Sequence, residues 1–193
     1  MRTERQRAAR RRAVVGVIAD THGLLRPEAL AALASVDLIV HAGDIGAAAI
    51  LDQLRAIAPV VAVRGNNDRE AWAASIPEIV TTDMAGSRLY LIHDLKMLPA
   101  DPGALGVDVI ISGHSHQPRV VERSGVMLLN PGSAGPRRFS LPIAIARLHL
   151  GPAGPRAEIV ELDVSGTRPP GRRRAAPRGA LDGARARGAV SRP

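Results

Sequence analysis

An α/β fold, in which two β-sheets pack together between flanking helices, is predicted by three features of this 193-residue sequence. Strand-like and helix-like segments alternate in the first third, short strand-like segments dominate the remainder, and reactive side chains directly follow several of the strands. An apolar content of 46% is sufficient for one well-packed domain. Because open α/β sheets bind ligands at the carboxyl ends of their strands, a ligand site is expected at that edge.

The first third has the pattern of a βαβαβ unit, whose strands form a parallel sheet. Runs of β-branched residues predict the strands, and apolar residues at helical spacing predict the helices. Pro27 suits the first turn of the first helix. The predicted strands are 14–19, 37–40 and 59–63, and the predicted helices are 27–34 and 47–57.

The chain changes character after Pro77, where short strands predominate and one helical turn is predicted at 102–105. This β-rich part is expected to pack on the first part as a two-sheet sandwich flanked by helices. Its predicted strands are 79–84, 88–92, 109–112, 119–122, 126–130, 142–148 and 157–162.

The net charge of +8 is concentrated at the two ends of the chain. Residues 1–13 contain six arginines and one glutamate, and residues 166–193 contain eight arginines and one aspartate. Both segments are poor in large apolar residues, so we expect a disordered basic extension and a disordered Arg/Pro/Ala/Gly tail. The domain between them, residues 14–165, has 12 basic and 16 acidic residues, a balance that suits the binding of cations.

Several classes of protein are disfavoured by the composition. The chain has no cysteine, which excludes disulfides and thiolate metal sites. No apolar run approaches the roughly 20 residues that span a bilayer, and the stretch after the arginine-rich N-terminus is too short for a signal peptide. We therefore expect a cytoplasmic protein with no membrane partner. The sequence leaves open whether it forms a homo-oligomer.

Five short motifs carry the candidate chemistry, and each follows a predicted strand. Their nitrogen, carboxylate and amide ligands suit manganese, iron, zinc or cobalt. The motifs are Asp20-Thr21-His22, Gly43-Asp44, Gly65-Asn66-Asn67-Asp68, His93 and Gly113-His114-Ser115-His116.

Each motif taken alone has a structural alternative. His114 and His116 are separated by one residue, as are Asp20 and His22, so an extended backbone would point each pair the same way. A His-x-His pair is also compatible with a solvated turn. Asp44 is compatible with a helix N-cap, and Asn66 with a turn residue in the left-handed conformation.

The ordered set of motifs resembles the calcineurin-like metallophosphoesterase superfamily over residues 14–150, and within it the small bacterial and archaeal phosphodiesterases. The resemblance implies a four-layer αββα sandwich with two mixed sheets. It also implies two divalent transition ions, with manganese first and zinc, iron, cobalt or nickel as alternatives. One ion would be bound by Asp20, His22, Asp44 and His116, and the second by Asp44, Asn66, His93 and His114. Asp44 would bridge them.

This resemblance predicts a phosphodiesterase that hydrolyses a small phosphodiester. Two ions that share a water lower its pKa, so that the resulting hydroxide attacks the phosphorus in line. Asn67 stands where many relatives have a histidine that protonates the leaving group, which an amide cannot do. Asp94 stands where relatives often have glycine, which leaves the substrate preference open.

Three residues are candidates for supporting catalytic roles: Asn67, Asp68 and His41. Asp68 suits either the orientation of a ligand or the capping of a helical turn. His41 suits either support of the metal ligands or a purely structural role. Residues 130–133 match a loop that lies beside the site in the same superfamily.

Two other functions remain as alternatives. The superfamily includes retromer-subunit-like scaffolds, which use this fold for protein contacts. The arginine-rich ends also suggest a nuclease, because they would bind phosphate backbones. Specific nucleic-acid binding is not favoured, since the chain has only three aromatic residues on which bases could stack, Trp72, Tyr90 and Phe139.

Overall fold

The computed structural model describes residues 11–164. The disorder predicted for the two basic ends therefore lies almost entirely outside the described residues, although residue 13 already belongs to the first strand. Short 3₁₀ helices occupy Ala71–Ser75, Leu95–Met97 and Pro102–Leu105. The other elements are β1 (Ala13–Ile18), α1 (Pro27–Ala32), β2 (Leu38–His41), α2 (Ala48–Arg55), β3 (Val60–Ala62), β4 (Ile79–Met84), β5 (Ser87–Ile92), β6 (Val109–Ile111), β7 (Arg119–Arg123), β8 (Val126–Asn130), β9 (Ala144–Leu150) and β10 (Arg156–Glu161).

The strands form two five-stranded mixed sheets. The first has the order β10-β9-β1-β2-β3, and the second has the order β4-β5-β6-β8-β7. Strands β1, β2 and β3 are parallel, as the βαβαβ pattern predicts. Strands β9 and β10 follow the β-rich part in sequence but join the first sheet, where β9 pairs antiparallel with β1. This pairing covers an edge of β1 that would otherwise expose its backbone polar groups.

The predicted sandwich is confirmed by the core between the two sheets. Val15, Val17 and Val40 of the first sheet pack in one buried cluster with Leu91 and Ile111 of the second. Alternate residues of the same strands face outward, because successive side chains of a strand point to opposite faces.

The two outer layers differ from each other. Helices α1 and α2 cover the first sheet through Ala29, Leu51 and Leu54. The second sheet is covered by the 3₁₀ helices Leu95–Met97 and Pro102–Leu105, whose Leu95 and Leu105 pack against its outer face. The four layers are thus present, but one outer layer is made of short turns, because the chain between β5 and β6 is interrupted by two prolines and two glycines. In residues 11–164 no helix has the length and apolar character needed to cross a membrane.

The five motifs meet at one edge of the sandwich. They follow β1, β2, β3, β5 and β6, and all five strands end there because they run parallel within their sheets. The prediction that reactive residues lie at the carboxyl ends of the strands is therefore confirmed.

Candidate metal centre

Backbone hydrogen bonds hold the first two motifs side by side. The amide of Asp20 donates to the carbonyl of Gly43 at 3.0 Å, and the amide of His22 donates to the carbonyl of Asp44 at 2.9 Å. These bonds continue the β1–β2 pairing beyond the strands, so the spacing of the two motifs is fixed by the sheet rather than by side chains.

Five of the seven predicted ligands have a left-handed backbone. Their φ angles are +54° for Asp20, +46° for His22, +53° for Asp44, +66° for His114 and +58° for His116. The extended backbone assumed for the Asp-x-His and His-x-His pairs is therefore wrong. Non-glycine residues adopt positive φ infrequently, and such strain concentrates at functional sites, where the surrounding structure enforces it.

The side chains of Asp20, His22 and His116 form a triangle of potential ligand atoms. The His22 Nε2 lies 3.3 Å from the His116 Nε2 and 4.0 Å from the Asp20 Oδ1, and the His116 Nε2 lies 3.4 Å from the same oxygen. Ligands that share one ion at bonds of about 2.1 Å lie about 3 to 3.5 Å apart. Both distances from the His116 Nε2 fall in this range, and the distance between His22 and Asp20 is longer by about half an ångström.

Asp44 connects this triangle with His93. Its Oδ2 lies 3.8 Å from the His22 Nε2 and 3.4 Å from the His93 Nε2. His93 presents Nδ1 to the carbonyl of Ala42 at 2.7 Å, which directs Nε2 toward Asp44. The His93 Nε2 is buried and faces the Asp44 Oδ2 at 3.4 Å without the geometry of a hydrogen bond. A buried polar atom in that position is suited to accept an ion.

Asn66 and His114 form the outer part of the centre. The Asn66 Oδ1 lies 3.0 Å from the His114 Nδ1, and the rings of His114 and His93 meet edge to face with centroids 5.2 Å apart. The His114 Nε2 lies 3.6 Å from the Asp94 Oδ2. The side chains of His114 and His116 therefore face different parts of the centre, instead of facing one common ion position.

The ionisation of the ligands reflects their burial. Burial raises the pKa of Asp20 to about 7, and burial lowers the pKa of His116 to about 4. Burial opposes the ionisation of Asp44, but the nearby His93 and the hydrogen bonds from Asn67 outweigh it and hold the Asp44 pKa below its usual value. Burial likewise opposes protonation of His93, but Asp44 and the Ala42 carbonyl raise its pKa above the usual value.

Asn67 supports Asp44 directly. Its backbone amide donates to the Asp44 Oδ1 at 2.9 Å, and its side-chain Nδ2 donates to the Asp44 Oδ2 at 2.6 Å. The side chain thus orients the carboxylate that faces both His22 and His93, a role that the sequence did not suggest.

Asp68 cross-links the second and third motifs. It accepts hydrogen bonds from the amides of Ile45, Gly46 and Gly65 at 3.1, 2.8 and 2.9 Å. The following 3₁₀ helix begins after Glu70, so Asp68 does not cap it. Asp44 is likewise not a helix cap, since α2 begins after Ala47. Asp68 remains a candidate for a positioning role.

His41 lies behind the metal centre and is fully buried. Its Nδ1 accepts from the amide of Gly43 at 3.2 Å, so Nε2 carries the proton and donates to the Thr21 Oγ1 at 2.9 Å. Thr21 in turn donates to the carbonyl of Ile45 at 2.8 Å. Burial lowers the pKa of His41 to about 3, which keeps it neutral. Because both of its nitrogens are engaged, His41 suits a positioning role and has no free nitrogen for proton transfer.

Some supporting residues were missed in the sequence. Thr21 is one of them, because a threonine between two ligands has no distinctive pattern. Arg138 is another: its charge is close enough to contribute to the lowered pKa of His116, after the larger effect of burial. The 130–133 loop was anticipated, and the Ser133 Oγ donates to the carbonyl of Asp20 at 3.0 Å.

Gly65 is required by close packing. A Cβ at this position would overlap with the backbone nitrogen and the carboxylate of Asp44. We expect Gly65→Ala to lower the free energy of unfolding by about 1 to 3 kcal/mol, the usual cost of overpacking, and to weaken metal binding. Thermal melting with and without Mn²⁺ measures both effects. Gly151→Ala is the control, because its Cβ would meet only ordinary contacts; equal effects of the two substitutions would contradict this account.

The fold and the side-chain geometry define the class as a two-sheet protein with a cluster of candidate metal ligands at its strand ends. Comparison with known proteins identifies the family. The model of the calcineurin-like phosphoesterase superfamily domain matches residues 14–151. The chain therefore belongs to that superfamily. It is 40% identical over 141 residues to a protein named probable metallophosphoesterase from Methanothermobacter thermautotrophicus, covering 67% of this chain and 81% of the relative. It is also 24% identical over 137 residues to a phosphodiesterase from Methanocaldococcus jannaschii, covering 61% and 82%.

Solved structures share the fold. A structure described as a novel archaeal phosphodiesterase superposes with a TM-score of 0.63 at 22% identity, covering 76% of this chain and 99% of the other. Vacuolar protein sorting 29 from Cryptosporidium parvum superposes with a TM-score of 0.63 at 21% identity, covering 78% and 98%. Vps29 from Entamoeba histolytica, solved in complex with Zn²⁺, has a TM-score of 0.61 at 23% identity, covering 77% and 98%.

Proposed function

We propose that this protein is a phosphodiesterase that binds two divalent transition ions and hydrolyses a small phosphodiester. The observation that carries the proposal is the position of the Asp44 Oδ2, which lies within 3.8 Å of ligand nitrogens on both sides, His22 and His93. One carboxylate placed between two sets of ligands is suited to bridging two ions.

The residues fit the first ion well. Asp20, His22 and His116 present one oxygen and two nitrogens at mutual distances of 3.3 to 4.0 Å. The burial that lowers the pKa of His116 to about 4 keeps this imidazole neutral at pH 7, as a ligand must be. Nitrogen and oxygen ligands together suit manganese, zinc, iron, cobalt or nickel, and we propose manganese as the first to test.

The second ion would be held by Asp44, His93, Asn66 and His114. The buried His93 Nε2, which makes no hydrogen bond within residues 11–164, supports this assignment. So does the contact between the Asn66 Oδ1 and the His114 Nδ1 at 3.0 Å, which is within the range of two ligands of one ion.

Two ions held by these residues would lower the pKa of a water molecule and offset the negative charge that builds on the phosphoryl oxygens. The protein's own contribution is to keep the ligands fixed. Asn67 holds Asp44 through two hydrogen bonds, and Asp68 ties the loops of Asp44 and Asn66 together through three. The hydrogen-bonded chain from His41 through Thr21 to Ile45 holds the loops of Asp20 and Asp44 together.

A protein-binding scaffold is the second candidate function. It is favoured by the similarity in fold to Vps29 structures. Sequence identities of 21–23% support a shared fold but not a shared function. The complete ligand set favours the enzyme, because a scaffold is free to lose ligands. The nuclease alternative depends on the basic ends, and these lie outside the described residues. The cytoplasmic location stays a prediction from the sequence.

The enzyme and the scaffold are separated by turnover of bis(p-nitrophenyl) phosphate by the Mn²⁺-loaded full-length protein. We expect release of nitrophenol that stops when a chelator removes the metal and returns when Mn²⁺ is restored. Para-nitrophenyl phosphate, a monoester, serves as the comparison and should be hydrolysed more slowly. Tight binding of metal without turnover of either ester would favour the scaffold.

Metal binding should release protons, and more of them at pH 6 than at pH 8. The Asp20 pKa of about 7 and the raised pKa of His93 mean that both groups hold protons at pH 6 in the metal-free protein. Both must lose them to bind an ion, so the apparent affinity for Mn²⁺ should rise from pH 6 to pH 8. Titration calorimetry in two buffers of different ionisation enthalpy counts the protons. Equal proton release and equal affinity at both pH values would contradict this assignment.

A further inference from the structure

A cleft of about 890 Å³ opens beside the outer part of the metal centre. It begins at Asp94 and His114 and extends along the outer side of β7 and β8, past Lys96 and Arg119 to Arg123. We call this the long cleft. A second cleft, of about 380 Å³, shares Asp94 and His114 but is bordered by the exposed apolar residues Ile79 and Met97.

The long cleft carries positive charges that are not neutralised. Lys96 and Arg119 are both exposed, and neither side chain forms an ion pair with any residue of the 11–164 segment. An Arg123 guanidinium nitrogen lies 3.5 Å from a carboxylate oxygen of Asp101, so the charge of Arg123 is partly neutralised. Both cations are therefore available to a ligand that enters the long cleft.

The acidic residues of the long cleft do not cancel these cations. The Asp94 carboxylate accepts from the amide of Lys96 at 3.0 Å and lies 3.6 Å from the His114 Nε2, so it is engaged at the entrance. Glu122 lies between Val121 and Arg123 on β7. Glu122 also lines the long cleft, but its side chain leaves β7 on the face opposite Arg119 and Arg123, because side chains alternate along a strand.

The position of the cations relative to the metal centre points to one extended ligand. Arg119 pairs in register with Asn130, and the Asn130 Nδ2 donates to the carbonyl of Gly113 at 2.6 Å, directly before His114. A ligand whose phosphodiester lies at the metal centre would therefore pass His114 and extend into the long cleft. Guanidinium and ammonium groups there are suited to a phosphate, which Arg binds through two parallel hydrogen bonds.

We propose that the long cleft binds a second phosphate of the substrate through Lys96 and Arg119, so that the substrate class is phosphodiesters that carry an additional phosphate group. This inference rests on the proposed function, because it places the scissile phosphodiester at the metal centre. It narrows the proposed substrate class from phosphodiesters in general to those with a second phosphate group.

The test is equilibrium binding of two nucleotide probes to the full-length, Mn²⁺-loaded protein by titration calorimetry at low ionic strength. Thymidine 3′,5′-bisphosphate has the second phosphate and thymidine 5′-monophosphate lacks it. We expect the bisphosphate to bind about tenfold more tightly, as one charge-assisted contact in an exposed cleft would give. In the double variant Lys96→Gln, Arg119→Gln the ratio of the two affinities should fall to about one.

Arg55→Gln is the matched control, because Arg55 is exposed on α2, where it pairs with Asp52 at 2.8 Å, and it borders neither cleft. This control should keep the wild-type ratio. Equal binding of the two probes by the wild type, or an unchanged ratio in the double variant, would overturn the inference. Because binding is read without turnover, a wild type that prefers the bisphosphate yet hydrolyses no ester would contradict the proposed function alone.

Discussion

Asp44→Ala is expected to remove both metal ions and to reduce phosphodiester turnover by at least about a thousandfold. Loss of one electrostatic group that acts on a transition state costs about 10² to 10³ in rate, and this substitution affects both ions together. The physical reason is the position of the Asp44 Oδ2 between His22 and His93. Without this carboxylate, the remaining ligands of each ion have less negative charge to offset the two cations.

The variants that isolate this effect are Asp44→Asn and Asp52→Ala. Asp44→Asn keeps the size of the side chain and removes its charge, so it separates the loss of charge from the loss of packing. Asp52 is an exposed acid on α2 whose removal should leave both metal content and turnover at the wild-type level. Elemental analysis of the purified proteins gives the metal content. Two ions retained by Asp44→Ala would contradict the bridging role.

The wild-type rate should depend steeply on the pKa of the leaving group. A positioned general acid is worth about 10² to 10⁴ in rate, and Asn67 cannot act as one. Its side chain instead donates to Asp44 at 2.6 Å. A nitrophenyl diester, whose leaving group needs no proton, should therefore react faster than an alkyl diester by a large factor, on the order of 10² or more.

Asn67→His tests whether a general acid introduced at this position speeds the departure of poor leaving groups. The substitution removes the Nδ2 donor to Asp44, so Mn²⁺ affinity should fall and the rates must be compared at saturating metal. Alkyl diesters should then gain more than nitrophenyl diesters if the new ring reaches the leaving oxygen. A flat dependence in the wild type, with chemistry rate-limiting, would mean that another group supplies the proton. Asp94 would be the first to test, because both nitrogens of His41 are engaged.

The location of the site was predictable from the sequence, because its ligand residues lie at the carboxyl ends of predicted strands. Asp20 and Asp44 follow largely buried parallel strands, and Asn66 follows the half-buried parallel strand β3. Parallel strands of one sheet end at the same edge. The pairing of β9 with β1 was not predictable, because a strand's own pattern of apolar residues does not identify its neighbour. The same limit applies to the outer layer of 3₁₀ turns, whose short apolar runs lack a helical period.

Local backbone conformation and supporting contacts were also beyond the sequence. Asp20 and His22 converge through two left-handed residues, although an extended Asp-x-His segment was expected. The sequence showed Asn67 only as the replacement of a general acid. Its hydrogen bonds to Asp44 follow from the way the two loops pack together, which the sequence does not show. Thr21 shows the same limit, since its hydrogen bonds to His41 and Ile45 join residues far apart in sequence.

In the proposed enzyme one carboxylate, Asp44, joins two ions in a single centre. Electron paramagnetic resonance of the protein loaded with two equivalents of Mn²⁺ tests this claim directly, because two Mn²⁺ ions about 3.5 to 4 Å apart are exchange-coupled. We predict a multiline spectrum of a coupled pair in the wild type. The six-line spectrum of isolated Mn²⁺, with one ion bound per chain, would contradict it.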